Sequence, residues 1–257
     1  DSSKVQDQLK GVQQLQATGG AFAAILAAGS VVTWGNPAYG GDSSEVQDQL
    51  KGVQQLQATV AFAAILVDGS VVTWGSRVSG GDSSEVQDRL KNVQQLQATD
   101  GAFAAILADV SVVTWGRPDY GGDSSEVQDQ LKGVQQLQAT ERAFAAILAD
   151  GSVVTWGEPR FGGDSSDVQD QLKSVQQIQA TDGAFAAILA DGSVVTWGKP
   201  DCGGDSSEVQ DQLKGVQQLQ ATSRAFAAIL ADGSVVTWGE PDFGGDSLVV
   251  APQFSYV

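Results

Sequence analysis

The sequence predicts an all-β fold, a β-propeller of six antiparallel blades with one repeat of about 41 residues per blade. Three observations carry this. First, Val-Val-Thr-Trp-Gly recurs six times, and Trp34, Trp74, Trp115, Trp156, Trp197 and Trp238 are separated by one step of 40 residues and four of 41. A fixed period of this size marks a repeat architecture, in which no unit buries its apolar face alone and stacked neighbours make the core. Second, two strand-length apolar runs flank Asp191-Gly192 in the fifth repeat, with close variants in the others. Third, an alternating run such as Val175-Gln176-Gln177-Ile178-Gln179-Ala180 precedes each pair.

The elements follow from these residues. Val175–Ala180 alternates with period two and reads as an inner strand. Ala184 to Ala190 and Ser193 to Gly198 form a hairpin, because Asp-Gly suits a two-residue type I′ turn with positive φ at both central positions. The stretch opening each repeat, such as Asp42-Ser43-Ser44-Glu45-Val46-Gln47-Asp48, reads as a short outer strand or a single capped helical turn. Gly52 and its equivalents Gly11, Gly133 and Gly215, with Asn92 and Ser174, then make a tight turn. Each blade therefore has three or four strands. The six Trp side chains are expected in equivalent, largely buried sites. Val110, standing where Gly belongs in the third hairpin, is expected to be a weak spot.

The repeats run 1–41, 42–81, 82–122, 123–163, 164–204 and 205–245 of one repeat domain, with 246–257 as a closing strand. Radial closure is preferred over a linear solenoid, which would leave the outer faces of the first and last repeats open; repeat one carries no polar redesign. Opening at Asp1, on a repeat boundary, fits a processed form or a piece of a longer array of seven blades. Val110 and the one-residue loss at Val60 fit natural duplication better than a designed consensus.

Composition excludes several roles. With 14 Lys plus Arg against 31 Asp plus Glu, the net charge is −17, a field that repels phosphate backbones and anionic lipid. Nucleic acid is not expected as a partner, nor direct membrane insertion. The apolar run from Ala21 to Ala28 is far too short to span a bilayer. The single cysteine, Cys202, permits no intrachain disulfide and reads as a tolerated loop substitution. No Asn-x-Ser/Thr sequon supports secretion.

No reaction is spelled out. Histidine is absent, so no Ser-His-Asp triad, His base or His metal ligand exists. The carboxylates recur in every repeat, and a catalytic pair needs two environments that push pKa values apart. The Asp-Ser-Ser-Glu-Val-Gln-Asp stretch lacks the ligand spacing of a calcium loop. No catalytic residue, metal or cofactor is assigned.

The segment Leu172 to Ala180, followed by Phe185 to Leu189, Asp191-Gly192 and Val194 to Gly198, resembles the repeat of the regulator of chromosome condensation family. The likeness recurs six times and covers nearly the whole chain. It implies a β-propeller, usually of seven blades, acting as a protein-binding module. It also implies an alternative: a regulatory domain of a larger protein, either a small-GTPase exchange factor or the substrate-recruiting propeller of a HERC-type ubiquitin ligase. This chain departs from the family pattern: Ala184-Phe185 replaces the usual His-Thr, and Lys199-Pro200-Asp201-Cys202-Gly203-Gly204 replaces the segment after Trp-Gly. It is a compact, divergent branch. The Gly-Trp-Arg-His-Thr motif of the plant UV-B photoreceptor is not present, and the six Trp occupy the structural Trp-Gly position.

The repeats differ mainly in two windows. The first precedes Ala-Phe and includes Arg142 and Arg224; the second follows Trp-Gly and includes Tyr39, Arg77, Arg117, Tyr120, Arg160, Phe161, Lys199 and Phe243. Up-and-down strand order places both windows at one end of the blades, with the near-constant turns at the other. Arg and aromatic residues dominate interface hot spots, so these ten residues form the expected partner-binding surface. The sequence thus points to a non-catalytic interaction scaffold, a structural subunit whose protein partner it does not name.

Overall fold

The computed structural model describes residues 2–246, so the expected closing strand lies outside the described residues except for Asp246. Six three-stranded antiparallel sheets follow one another along the chain. Blade 1 holds β1 (Val12–Ala17), β2 (Ala21–Leu26) and β3 (Val31–Gly35); blade 2 holds β4 (Val53–Ala58), β5 (Ala61–Leu66) and β6 (Val71–Gly75). Blade 3 holds β7 (Val93–Ala98), β8 (Ala102–Leu107) and β9 (Val112–Gly116); blade 4 holds β10 (Val134–Ala139), β11 (Ala143–Leu148) and β12 (Val153–Gly157). Blade 5 comprises β13 (Val175–Ala180), β14 (Ala184–Leu189) and β15 (Val194–Gly198), and blade 6 comprises β16 (Val216–Ala221), β17 (Ala225–Leu230) and β18 (Val235–Gly239). The chain forms two compact units, one ending at Ser125 with blades 1 to 3 and one beginning at Glu126 with blades 4 to 6.

Packing within each unit explains the repeat. The central strand Ala-Phe-Ala-Ala-Ile-Leu is buried on both faces in β5, β8, β11 and β14. Its Phe pairs across to the Trp of the third strand, as Phe62 does with Trp74, their rings stacked at 5.2 Å. In the first unit, the bulky face of blade 2 (Leu50, Val53, Leu56, Phe62, Trp74) packs on the small face of blade 1 (Ala21, Ala23, Ile25, Val31). Large side chains meeting small ones let neighbouring backbones approach closely without voids.

Two local expectations change. The hairpin turn is not a two-residue type I′ turn. Gly192 N–H donates to the Leu189 carbonyl and Leu189 N–H to the Ser193 carbonyl, and positive φ falls on Gly192 (+79°) but not on Asp191. This is a three-residue loop, a type I turn closed by a left-handed glycine. Asp191 belongs there because its Oδ1 accepts from both the amide and the hydroxyl of Ser193. Val110 does adopt the left-handed conformation, with φ +60°.

The opening stretch of the repeat forms turns and short 3-10 segments, so each blade has three strands. Asp42 Oδ1 accepts from the Ser44 amide, and Ser43 bonds both Thr33 and Gln47. Gln47 Nε2 then donates to the Val31 carbonyl on β3 at 3.0 Å. Gln87, Gln169 and Gln210 repeat this contact with Val71, Val153 and Val194. A glutamine thereby caps the edge that a fourth strand would cover.

Candidate interaction surface at the loop end

Both variable windows lie at the same end of each blade. The second window is a short 3-10 turn, such as Pro37–Tyr39, with Pro at its start and a left-handed Gly after it. Two kinds of hydrogen bond, one from a backbone amide and one from a threonine side chain, fix it against the loop between the first and second strands. The amide after Trp-Gly donates into that loop, as Lys199 does to Gly183 at 2.9 Å. A threonine hydroxyl spans the two windows: Thr18 donates to the Tyr39 carbonyl, Thr99 to Tyr120, Thr140 to Phe161, Thr181 to Cys202 and Thr222 to Phe243. Thr59 does the same to Ser79, so the deletion at Val60 is absorbed without losing the latch. This threonine is constant beside varying residues, which was its signal in the sequence.

The variable side chains are matched within each blade. Where the residue before Ala-Phe is Gly, the second window folds over it: a Cβ on Gly20 would lie 3.0 Å from the Tyr39 ring, on Gly101 2.9 Å from Tyr120, and on Gly183 3.0 Å from Cys202 Sγ. Where it is Arg, that position is answered by Phe. The Arg142 guanidinium lies 5.0 Å from the Phe161 ring centre and that of Arg224 5.3 Å from Phe243.

Ten expected contact residues can now be placed. Arg117 stacks 4.3 Å over Tyr120 and pairs with Asp119 at 2.8 Å. Arg77 reaches Asp82 at 2.6 Å. The Ser84 hydroxyl and then Arg77 hold the Asp82 carboxyl down at about 2. Arg160 is exposed, Tyr39 half-buried. In the second unit, Phe161 is approached from two sides, by Arg142 of its own blade and by Lys199 of blade 5 at 5.1 Å. The first-window loops there are also joined, Glu141 N–H donating to the Asp182 carbonyl and Asp182 N–H to the Ser223 carbonyl. Burial pushes the Asp182 carboxyl up, against the pull of Arg224 and Lys199. Cys202 is buried, and burial raises its thiol too.

The aspartates of the hairpin end behave alike. Asp68, Asp109, Asp150, Asp191 and Asp232 are all held below the usual carboxylate range, first by the hydroxyl of the serine two residues on. A cavity of about 390 Å³ between blades 2 and 3 also opens at this end, lined by Gln55, Asp68, Asn92 and Gln94 among others. Among the described residues, no three His, Cys, Asp or Glu side chains group as a metal site, and no helix is long and apolar enough to cross a membrane. The six Trp are not equivalent: Trp74, Trp115, Trp156, Trp197 and Trp238 are buried, whereas Trp34 is half-buried.

No protein-family model matches the sequence, and no curated protein matches it either. Solved structures do. Yeast RCC1 (Prp20), crystallised with Kap60, is 18% identical with a TM-score of 0.57, the match covering 94% of this chain and 72% of that one. Prp20p from Saccharomyces cerevisiae, described with its binding properties to Gsp1p and histones, is 18% identical with a TM-score of 0.55, covering 92% and 74%. The ectodomain of the Physcomitrella patens receptor kinase CR4 is 16% identical at a TM-score of 0.50, covering 89% and 62%. The fold is therefore an RCC1-like β-propeller fold, carried by a divergent sequence.

Proposed function

We propose that this chain is a non-catalytic protein-interaction scaffold that receives its partner on the loop end of the blades, as a fixed subunit of a larger assembly. The observation that carries the reading is the cation–aromatic row of the second unit, where Arg142 and Lys199 flank Phe161 and Arg224 covers Phe243. Such groups hold large, rigid contact area at low entropic cost, and they sit on latched turns instead of mobile loops. The fold agrees, since the similar yeast RCC1 (Prp20) is described bound to Kap60 and with binding to Gsp1p and histones. The same fold supports the second reading, a regulatory domain of a larger protein, which a longer reading frame carrying a catalytic domain would favour.

The non-catalytic part rests on chemistry. The hairpin-end aspartates share one environment, which supplies no acid–base pair. Asp182 departs from the usual range in the opposite direction, raised by burial against the pull of Arg224 and Lys199.

The test is capture of partners from native extract by immobilised chain, quantified by mass spectrometry. Replacing Arg142, Lys199 and Arg224 with Ala should reduce recovery at least about tenfold, the scale of one hot-spot residue. Replacing the exposed hairpin-end Lys51, Lys132 and Lys214 should leave it unchanged. Equal loss from both sets would reduce the effect to non-specific charge.

A further inference from the structure

Among the described residues, the repeated packing leaves two halves unmatched, one on blade 1 and one on blade 6. Within each compact unit, a blade's bulky face is covered by the small face of the blade before it, and two hydrogen bonds to backbone carbonyls, one from a Trp side chain and one from a backbone amide, fix the register. In the second unit, Trp238 Nε1 donates to the Gly203 carbonyl at 3.0 Å and Val216 N–H to the Gly192 carbonyl at 2.9 Å. Trp74 with Gly40, and Val53 with Gly29, repeat these bonds in the first unit. Blade 1 presents the bulky face with no blade over it among the described residues. Leu15 is 52% exposed and Phe22 42%, while their counterparts Leu56 and Phe62 are at 0%.

Blade 6 presents the opposite half. Ile229 is 37% exposed, against 6% for Ile188, and Ala227 and Val235 are half-buried. Glycine clearances agree: a Cβ on Gly192 would meet Gly215 at 2.9 Å and one on Gly203 would meet Phe226 at 2.7 Å, but Gly233 and Gly244 have nothing within 4 Å.

We propose that a second copy of this chain covers these faces head to tail. Ala225, Ala227, Ile229 and Val235 of one copy pack against Leu15, Phe22 and Trp34 of the next. The argument is continuity with an interface the chain already makes. The two open halves carry the same residue types as the halves joined between blades 1 and 2, 2 and 3, 4 and 5, and 5 and 6. The register bonds have counterparts as well, since Trp34 Nε1 would meet the Gly244 carbonyl and Val12 N–H the Gly233 carbonyl. The residues named on both faces are all uncharged. The contact is heterologous, so each joined pair keeps one half free at either end and either closes into a ring or extends. It uses blade faces, not the variable loops, and stands independently of the partner-binding reading.

The experiment is sedimentation velocity of the full chain over a wide concentration range, with Leu15→Glu and Ile229→Glu variants checked for strand signal by circular dichroism. Leu15→Ser and Ile229→Ser replace them if that signal is lost. The wild type should form dimers or larger species as concentration rises. Each variant alone should be a monomer, because every copy then lacks the same half. Mixed together, the two variants should form a one-to-one dimer and nothing larger, since one intact pair of faces remains. A wild type that stays monomeric, a mixture that stays monomeric, or loss in Leu15→Glu with full association of Ile229→Glu would each overturn the proposal. Arg117→Ala should associate as the wild type does, and its failure would move the contact to the loop end and overturn it too.

Discussion

The two ends of the blades are built under different constraints. At the hairpin end the tips meet backbone to backbone: a Cβ on Gly69 would lie 2.8 Å from Asn92, and one on Gly151 2.8 Å from Ser174. At the loop end the backbone is fixed by a threonine and a left-handed glycine, and the side chains between them vary in matched pairs. Near-constancy at the hairpin end therefore reports packing. Variation at the loop end reports freedom from packing, bounded by the pairing of Gly with Tyr or Cys and of Arg with Phe. The difference teaches that variability alone does not identify a binding surface. The proposed partner surface rests instead on the cation–aromatic arrangement of Arg142, Lys199 and Arg224 with Phe161 and Phe243 in the second unit.

The largest expected effect breaks the hairpin end. Gly192→Val places a branched side chain at φ +79° against the Gly215 backbone. It should cost about 2–3 kcal/mol in urea unfolding. An unchanged midpoint would mean that the tips are not packed as described.

Val110→Gly is the converse. It relieves a β-branched residue held at φ +60° and should stabilise by about 1–2 kcal/mol, raising Tm. No change, or a fall, would show that the valine is accommodated without strain.

Smaller effects are expected at the loop end. A double-mutant cycle of Arg142→Ala with Phe161→Leu should give a coupling of about 0.5–1 kcal/mol, the scale of a partly exposed cation–π pair. Zero coupling would leave the Arg and Phe as independent surface residues.

The pH responses of two loop-end carboxylates should have opposite signs. Asp82 is lowered to about 2, so its stabilisation is present above the unfolded carboxylate range and is lost as pH falls toward 2. Screening at this exposed pair limits it to below about 1 kcal/mol. Asp182 is raised by burial, so its contribution is greatest below the unfolded carboxylate range and is lost as pH rises through its folded value. Asp82→Asn should therefore lower Tm at neutral pH and Asp182→Asn should raise it, both effects shrinking in acid. Effects of the same sign would contradict the assigned environments.

Much of the fold was legible in the residues. The alternating Val-Gln-Gln-Leu-Gln-Ala, the apolar pair around Asp-Gly and the fixed Trp beat placed three strands per repeat. The hairpin geometry was not, because Asp-Gly serves both a two-residue turn and a three-residue loop, and the choice depends on where Leu189 and Ser193 pair. The edge-capping role of Gln47 was hidden as well, since a Ser-Gln pair bonding a distant strand leaves no periodic signature.

The 3-10 turn after Trp-Gly could have been found. Pro at its first position in five repeats and Gly following in all six are the signal. The half-burial of Trp34 was not legible, because repeat one has the same residues as the others and differs only in its neighbours. For the loop end, sequence brought the two windows to one end, but the Arg–Phe matching required side-chain positions.

The most direct test of the loop-end claim is a hydrogen-exchange footprint of the chain with a partner recovered from native extract. The account predicts slowed exchange at residues 141–142, 182–183, 199–203 and 223–224, with the hairpin tips at 149–152 and 190–193 unchanged. Protection confined to the tips, or spread equally over both ends, would contradict it.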